Sequence, residues 1–165
     1  CHYSLFWPLP NVWLGVSAEN QETADARIPL LLQMPAAVRF VSYEPALGPV
    51  DFRTGGELTE VGYIDWLRGF AGSEAPIPRL DWIIVGGESG PRARPFNVDW
   101  ARSTVEQCKV AGVPVFVKQL GANVTNGFWS DEDTESEPCV LTLRDRKGGD
   151  PAEWPEDLRV REFPR

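Results

Sequence analysis

The stretch that decides the fold runs from Trp82 to Gly90 and reads WIIVGGESG. Its first four residues are all apolar, which is typical of a strand that is buried on both faces of a parallel sheet. The run then stops at paired glycines that are followed by a glutamate, a serine and another glycine. In α/β proteins, ligands bind beyond the carboxyl ends of the strands. The stretch therefore predicts a parallel sheet and a candidate ligand site at the end of this strand.

Three other apolar runs in the chain stop in the same abrupt way. Each is followed by a short polar signature, and two of these signatures also carry a glutamate. Because parallel strands end at one edge of a sheet or barrel, we expect all four polar ends to lie at that edge. The three runs are Val12–Val16 before SAEN, Val38–Val41 before SYEP, and Val113–Val117 before KQ.

Two helices are predicted between these strands. Residues Gln21–Gln33 have apolar residues at helical spacing, and Asn20 is placed to cap the helix. Residues Asn97–Ala111 form the second pattern, with Asn97 as the cap, and Gly112 stands where a helix often ends in a left-handed glycine. The order βαβ(α)βαβ predicts right-handed connections between parallel strands.

The segments 51–79 and 120–165 depart from this alternation. In the first, glycines and prolines favour an insertion that lies over the sheet edge, or a lid, although five apolar residues could also form a short helix. In the second, we predict a C-terminal extension with an edge strand or hairpin at Val140–Leu143, a charged turn at Arg144–Pro151 and an apolar anchor near Trp154. The five apolar residues of the first segment are Val61, Ile64, Trp66, Leu67 and Phe70.

The expected fold class is α/β, as one domain over residues 1–165. An open sheet of four parallel strands is one solution, but a full barrel needs about eight strands. The chain begins at Cys1 without a methionine, and Tyr3–Pro10 resembles a loop that follows an earlier element. We therefore expect a partial (β/α) barrel, a TIM-like half barrel that forms the C-terminal half of a larger one.

Composition restricts the function classes. No stretch approaches the ~20 apolar residues of a membrane span, so a cytoplasmic protein is predicted. The net charge is −8, concentrated in the acidic run 131–137. Direct nucleic-acid binding is not supported by this charge, although Arg92, Arg94 and Arg102 are candidates for a local basic patch.

The cysteines do not form a recognisable framework. Cys1, Cys108 and Cys139 are far apart, odd in number and without C-x-x-C spacing. This pattern favours neither a disulfide framework nor a self-contained metal site. Cys108 lies in the second helical pattern and is predicted to be a small buried apolar residue.

The first two polar signatures supply the same side-chain types at the same spacing. Ser17, Glu19 and Asn20 combine a hydroxyl, a carboxylate and an amide that can bind a ribose diol or an amino-acid group. Ser42 and Glu44 repeat the serine-to-glutamate spacing on the next strand. Residues two apart share a face of a strand, so each pair projects together. The structural alternatives are that Ser17 and Asn20 cap a helix and that Glu44 fixes a loop.

The last two signatures complete the candidate site. Gly86 and Gly87 allow a ligand or a neighbouring backbone to approach closely, with Glu88 and Ser89 beside them, or they simply form a tight turn. Lys118 and Gln119 end the fourth strand, where the lysine either balances the glutamates or holds an anionic substrate group. Arg92 and Arg94, just after the glycine-rich turn, are further candidates for binding phosphate or carboxylate, or they simply face solvent.

The order of these motifs resembles a known family. PNVWLGVSAEN at 10–20, RFVSYEPALGPV at 39–50, DWIIVGGESG at 81–90, FVKQLG at 116–121 and GGDPAEWPEDL at 148–158 are similar to the second half of the phage Gp thirty-seven/sixty-eight family, an uncharacterised group found in phages and bacteria. The similarity spans nearly the whole chain.

The resemblance implies an enzyme of the radical S-adenosylmethionine type. Complete members carry an early cysteine-rich motif for a [4Fe-4S] cluster, followed by a partial barrel whose strand ends surround S-adenosylmethionine. The resemblance implies cofactor-binding roles for Ser17, Glu19, Asn20, Glu44 and Gly86–Ser89. It implies substrate-binding roles for Ser42, Arg92, Lys118 and Gln119. This chain departs from the pattern because it has no cysteine cluster.

Two other hypotheses come from different classes. Three acidic groups at one barrel mouth would suit magnesium or manganese in a hydrolase or lyase. A non-catalytic phage accessory protein would use the same cleft to hold a partner. For the radical S-adenosylmethionine enzyme and for the metal-dependent hydrolase or lyase, the expected partner is a small molecule, and the sequence does not identify the substrate.

Overall fold

The four predicted strands all form, and together they make one parallel sheet. The computed structural model describes residues 7–53, 55–59, 62–71, 75–126 and 139–165. Its elements are β1 Trp13–Ser17, α1 Gln21–Leu32, β2 Val38–Tyr43, β3 Gly55–Thr59, β4 Gly62–Asp65, β5 Phe70–Ala71, β6 Ala75–Pro76, β7 Trp82–Gly86, β8 Phe96–Asn97, α2 Val98–Ala111, β9 Val115–Gln119, β10 Val124–Asn126 and β11 Cys139–Leu141, with two short 3-10 helices at Pro151–Glu153 and Glu156–Leu158.

The parallel sheet has the strand order β1-β2-β7-β9, so its strands lie side by side in the order of the chain. Alternate residues of each strand face the helices and form the core. On β7, Ile83 and Val85 are fully buried, and their neighbours Val115 and Val117 on β9 are nearly so. The α/β class with two helices and a parallel sheet is confirmed.

Both helices begin and end close to the predicted positions. Asn20 accepts a hydrogen bond from the backbone N–H of Thr23, whose own hydroxyl satisfies the N–H of Asn20, so α1 has a reciprocal cap. Asn97 caps α2 with a single hydrogen bond, which its side-chain oxygen accepts from the backbone N–H of Asp99. Gly112 ends α2 with a φ of 69°, the left-handed conformation that glycine adopts without strain. Cys108 is buried on α2, as predicted.

The segment between β2 and β7 contains a small antiparallel sheet, with the order β3-β4-β5-β6. The short helix considered for this segment does not form, since Gly62–Asp65 is a strand and a turn follows it. Glycines at the strand positions and a turn fixed by Asp65, which accepts from two backbone N–H groups, favour hairpins over a helix. Trp66 and Leu67 are buried in the core, where a crossover helix would otherwise pack. Val61 lies outside the described residues.

The other face of the parallel sheet carries neither of the two described α-helices and is lined by aromatic rings. Trp82 lies at their centre, with ring centroids 5.8 Å from Trp13, 5.9 Å from Phe40, 6.1 Å from Phe116 and 5.3 Å from Phe163. We call this surface the aromatic face. Its edges are open, since Trp13 and Phe163 are 42% and 57% exposed.

The C-terminal extension is partly described. A strand forms at Cys139–Leu141, which overlaps the Val140–Leu143 region predicted for an edge strand, and it pairs antiparallel with β10. Trp154 is buried, and its indole N–H donates to the carbonyl of Gly148. The acidic run 131–137 and the segment around Cys1 lie outside the described residues. Among the helices that are described, none is long and apolar enough to cross a bilayer.

Candidate functional site

The polar ends of the four parallel strands meet at one edge, which we call the rim. Three backbone N–H groups, those of Ala18, Ala46 and Gly87, donate hydrogen bonds of 2.9–3.0 Å to backbone carbonyls. Their acceptors are the carbonyl oxygens of Ser42, Gly86 and Gln119, respectively. These bonds tie the segment after each strand to the next strand. The rim therefore brings the four predicted signatures into one continuous row.

Each of the three rim glutamates is bound by its own cation. Glu19 lies 3.1 Å from Arg27, Glu44 2.9 Å from Lys118, and Glu88 2.8 Å from Arg94, each distance joining a nitrogen to a carboxylate oxygen. The charge of Glu19 also helps to raise the pKa of Arg94, so the first and third pairs lie close enough to interact. Within the described ranges, no group of three or more His, Cys, Asp or Glu residues is arranged to hold a metal ion.

Glu44, which pairs with Lys118, is the most enclosed of the three rim glutamates. The Lys118 ammonium donates to both carboxylate oxygens, at 2.9 and 3.0 Å. The Glu44 side chain is only 18% exposed, against 53% for Lys118. A Cβ atom on Gly86 would lie 3.3 Å from the Glu44 carboxyl carbon. The absence of a side chain at Gly86 gives the pair room to span the end of β7.

Two serine hydroxyls lie side by side next to this ion pair. Ser17 and Ser42 are paired in the β1–β2 register, so their side chains share a face of the sheet. That face is the aromatic face, because Phe40 precedes Ser42 by two residues on the same strand. In the part of the chain that the structure describes, neither hydroxyl has a hydrogen-bond partner. Both are available to a polar ligand.

Asn20 and Glu19 have local structural partners. The Asn20 side chain caps α1, as the structural alternative predicted, whereas the Ser17 side chain does not cap the helix. Arg27, on the second turn of α1, holds Glu19 and also donates to the Ser17 carbonyl at 2.8 Å. Asn20 and Glu19 therefore fix the junction between β1 and α1.

The glycine-rich turn is packed against neighbouring backbone. A Cβ atom on Gly87 would lie 2.1 Å from the Leu120 carbonyl oxygen, so this glycine is required for two backbones to approach. Gln119 strengthens the contact through its side-chain amide, which donates to the Gly87 carbonyl at 2.9 Å. A positive φ occurs later in the turn, at Gly90 and at Arg92. The open space beside Gly86 is occupied by Glu44.

Glu88 and Arg94 form a clamp across this turn. The Arg94 guanidinium donates to both carboxylate oxygens, at 2.8 and 3.2 Å, and the Arg94 backbone N–H adds a third hydrogen bond. These bonds from Arg94 lower the pKa of Glu88 below its ordinary value, and the same carboxylate raises the pKa of Arg94. Glu88 is thus an ionised, paired group.

Ser89 and Arg92 lie at the outer side of the rim and are exposed. Arg92 has no ion-pair partner among the described residues. The rim therefore carries three carboxylates, the three cations that pair with them, and Arg92 as a fourth cation. Its charge favours an anionic or zwitterionic ligand over a divalent cation.

Sequence reasoning missed the partners of Glu19 and Glu88. Arg27 was not singled out, although an arginine two turns into the helix that follows β1 is well placed to reach back to the strand end. Arg94 was predicted to bind a phosphate or a carboxylate of a ligand, but the carboxylate that it binds belongs to Glu88, six residues earlier across a turn. Arg102, the third candidate for a local basic patch, lies elsewhere and binds Asp99 and Asp157.

A groove of about 1320 Å³ lies at the opposite end of the parallel strands. It is lined by residues that precede the strands, such as Asp81 and Pro114, by α2 and by the chain end. None of the predicted site residues lines it. Its charged groups are of both signs and spread along its length, so we keep the rim as the candidate site.

The sheet and its rim define an α/β protein with a candidate ligand site at the carboxyl ends of parallel strands. The chain belongs to the family described as protein of unknown function DUF5131, whose profile matches residues 2–149. No curated protein and no solved structure matches the chain.

Proposed function

We propose that the chain is the cofactor-binding half of a partial (β/α) barrel, and that its rim binds S-adenosylmethionine as in radical S-adenosylmethionine enzymes. One observation carries the proposal: the hydroxyls of Ser17 and Ser42, which have no partner among the described residues, lie side by side at the rim end of the sheet face opposite α1 and α2. In a (β/α) barrel, helices cover the outside and the other face lines the interior.

The chemistry of the rim suits the polar parts of this ligand. Ser17 and Ser42 supply neighbouring hydroxyls that can hydrogen-bond a ribose diol. Glu44 and Lys118 supply one group of each charge, which can bind the ammonium and the carboxylate of the methionine part. Arg92 supplies an unpaired cation for a substrate anion.

The described residues do not fit a [4Fe-4S] cluster. Such a cluster needs several thiolates close together, and Cys108 is alone in the core on the helix side of the sheet. Burial raises the pKa of its thiol to about 12, which disfavours the thiolate. We therefore derive no radical step from this chain. The cluster ligands are proposed to come from another segment, in an enzyme that works in the reducing cytoplasm.

The pairing of the rim charges favours this proposal over a divalent-metal hydrolase or lyase. A metal ion would have to displace Arg27, Lys118 and Arg94 from their carboxylates before it could use them. The third hypothesis, a non-catalytic accessory protein, would use the same hydroxyls and ion pair, and it stays a prediction.

A titration followed by ¹⁵N–¹H NMR tests the proposal on the chain itself. We expect S-adenosylmethionine, added to about 5 mM so that binding with a Kd of about 1 mM would be detected, to shift the amide signals of Ser17, Ser42, Gly86 and Lys118. The double variant Ser17→Ala/Ser42→Ala should weaken these shifts, and Ser103→Ala on α2 should not. Magnesium chloride is titrated in parallel. Rim shifts with magnesium and none with S-adenosylmethionine would reject the proposal.

A further inference from the structure

A loop of the C-terminal extension packs directly behind the rim. The loop is Asp145–Gly149, which we call the support loop. The carbonyl of Gly148 accepts the backbone N–H of Leu120, the residue after β9, at 2.9 Å. A Cβ atom on Gly148 would lie 2.8 Å from the backbone nitrogen of Gly121, which is closer than real Cβ atoms approach. Because Gly148 has no side chain, the support loop touches the backbone after β9 directly.

A second close approach joins Gly121 to the glycine-rich turn of the rim. A Cβ atom on Gly121 would lie 2.6 Å from the carbonyl oxygen of Glu88. The same oxygen accepts the backbone N–H of Ala122 at 2.9 Å. Gly121 and Gly148 also have positive φ angles, of 88° and 61°, which strain residues that carry a side chain. The support loop, residues 120–122 and the glycine-rich turn are therefore three layers of backbone in direct contact.

The support loop is held in shape by groups that do not belong to the rim. The Asp145 carboxylate accepts the backbone N–H groups of Lys147 and Gly149, at 3.1 and 2.7 Å. These two bonds lower the pKa of Asp145. The buried Trp154 donates its indole N–H to the same Gly148 carbonyl that Leu120 binds. The loop is thus fixed from within by Asp145 and anchored to the core by Trp154.

We propose that the support loop is a positioning element of the rim, and that Asp145 and Gly148 set the positions of Glu88 and Lys118. Glu88 lies in the turn that contacts the middle layer of backbone, and Lys118 lies two residues before that layer. Backbone atoms in contact cannot yield by rotating a side chain, so a shift of the support loop moves the rim. The inference concerns the chain without a ligand and does not rest on S-adenosylmethionine.

A turn in the insertion, between β4 and β5, provides matched controls. Its Gly69 has a φ of 78°, and a Cβ atom there would lie 2.7 Å from the Ile77 carbonyl oxygen. Its Asp65 carboxylate accepts the backbone N–H groups of Leu67 and Arg68, at 3.0 and 2.8 Å. Among the described residues, no hydrogen bond joins this turn to the rim. It has the same two features as the support loop without the contact to the rim.

The first test compares Gly148→Ala with Gly69→Ala. Each variant places a Cβ atom against backbone at a positive φ, so both should unfold at a lower urea concentration than the wild-type chain. Only Gly148→Ala should shift the amide signals of Glu88 and Lys118 in ¹⁵N–¹H NMR. The proton affinity of Glu88 should also rise at least about threefold, or about half a pKa unit, as its hydrogen bonds from Arg94 loosen. Gly69→Ala should leave this affinity unchanged.

The second test makes a smaller change and compares Asp145→Asn with Asp65→Asn. Asparagine keeps the size of the side chain but has only one oxygen and no charge, so it cannot accept both N–H groups as the carboxylate does. We expect rim shifts of the same kind, at Glu88 and Lys118, in Asp145→Asn alone. This variant keeps the inference testable if Gly148→Ala does not fold.

Two outcomes would overturn the inference. One is a loss of stability in the support-loop variants with unchanged signals and proton affinity at the rim, which would make the loop purely structural. The other is an equal rim response in the insertion variants, which would show that any destabilised chain changes the rim. No ligand is added in either test, so failure of this inference and failure of the proposed function are distinguishable.

Discussion

The ammonium of Lys118 lies within 3.0 Å of both carboxylate oxygens of Glu44, although the two residues are 74 positions apart in the chain. The pair joins the segment after β2 to the end of β9 and crosses the end of β7 between them. It is the part of the rim that depends most on the assembled sheet.

Removing one partner of this pair should reveal a modest coupling. Lys118→Met leaves a largely enclosed carboxylate unpaired, and because Lys118 is half exposed we expect a loss of only about 1 kcal/mol in the free energy of unfolding. Glu44→Gln and the double variant complete a cycle with a coupling of about 0.5–1 kcal/mol, measured by urea unfolding. Lys109→Met, at an exposed lysine without a described partner, is the control and should change little. A coupling of zero would contradict a stabilising pair.

Gly15→Ala should disturb the aromatic face. A Cβ atom at this position would lie 2.4 Å from the Phe40 ring, so the ring must move away from β1. We expect a loss of about 1–3 kcal/mol from overpacking, with a change in tryptophan fluorescence because Phe40 packs on Trp82. Gly48→Ala is the matched control, since its Cβ would make an ordinary contact at 3.5 Å. Equal stability of the two variants would show that Phe40 does not lie over Gly15.

The ionisation of Glu88 should depend on Arg94. Hydrogen bonds from Arg94 lower the pKa of Glu88 in the folded chain. The linked stability is therefore present above the pKa of the unfolded chain and is lost as the pH falls through the folded value. Arg94→Met should raise the pKa of Glu88 toward its ordinary value, because the hydrogen bonds that lower it are lost, and a ¹³C NMR titration of the carboxyl group measures this. Arg92→Met should not, and an equal shift in both variants would refute the specific clamp.

Cys108 should be unreactive in the folded chain. Burial raises the pKa of its thiol to about 12, and the nearby charge of Glu162 adds to this. In a variant with Cys1 and Cys139 replaced by alanine, a thiol reagent at pH 8 should react only after urea unfolding. Because the folded pKa is the higher one, the folded state retains the proton, and stability should fall as the pH rises from about 8.5 toward 12. Rapid labelling of the folded variant would contradict burial.

The secondary structure of the parallel sheet follows from local sequence. The apolar run Trp82–Val85 forms β7, and Asn20, Asn97 and Gly112 mark helix ends where they were expected. Helix caps and apolar periodicity depend on residues that are close together in the sequence, so both can be predicted from the sequence alone. The common edge of the four polar signatures follows in the same way from parallel pairing.

Local sequence did not predict which cations pair with the rim carboxylates. It also did not predict the secondary structure of residues 55–76. The three glutamates suggested a shared acidic pocket, but each meets a separate cation, and for Glu44 that cation comes from another strand. In the insertion, the spacing of Trp66 and Leu67 was compatible with a short helix, and the hairpins that formed instead bury both side chains in the core.

The sequence by itself therefore determined the strands, the helices and the edge at which their polar ends lie, because these depend on hydrophobic periodicity and on caps close in sequence. Only the tertiary structure decided which charges pair, which sheet face carries the aromatic rings and which sheet edge residues 160–163 pair with. Those features depend on contacts between residues far apart in the chain, and their energies are set by burial and distance after folding.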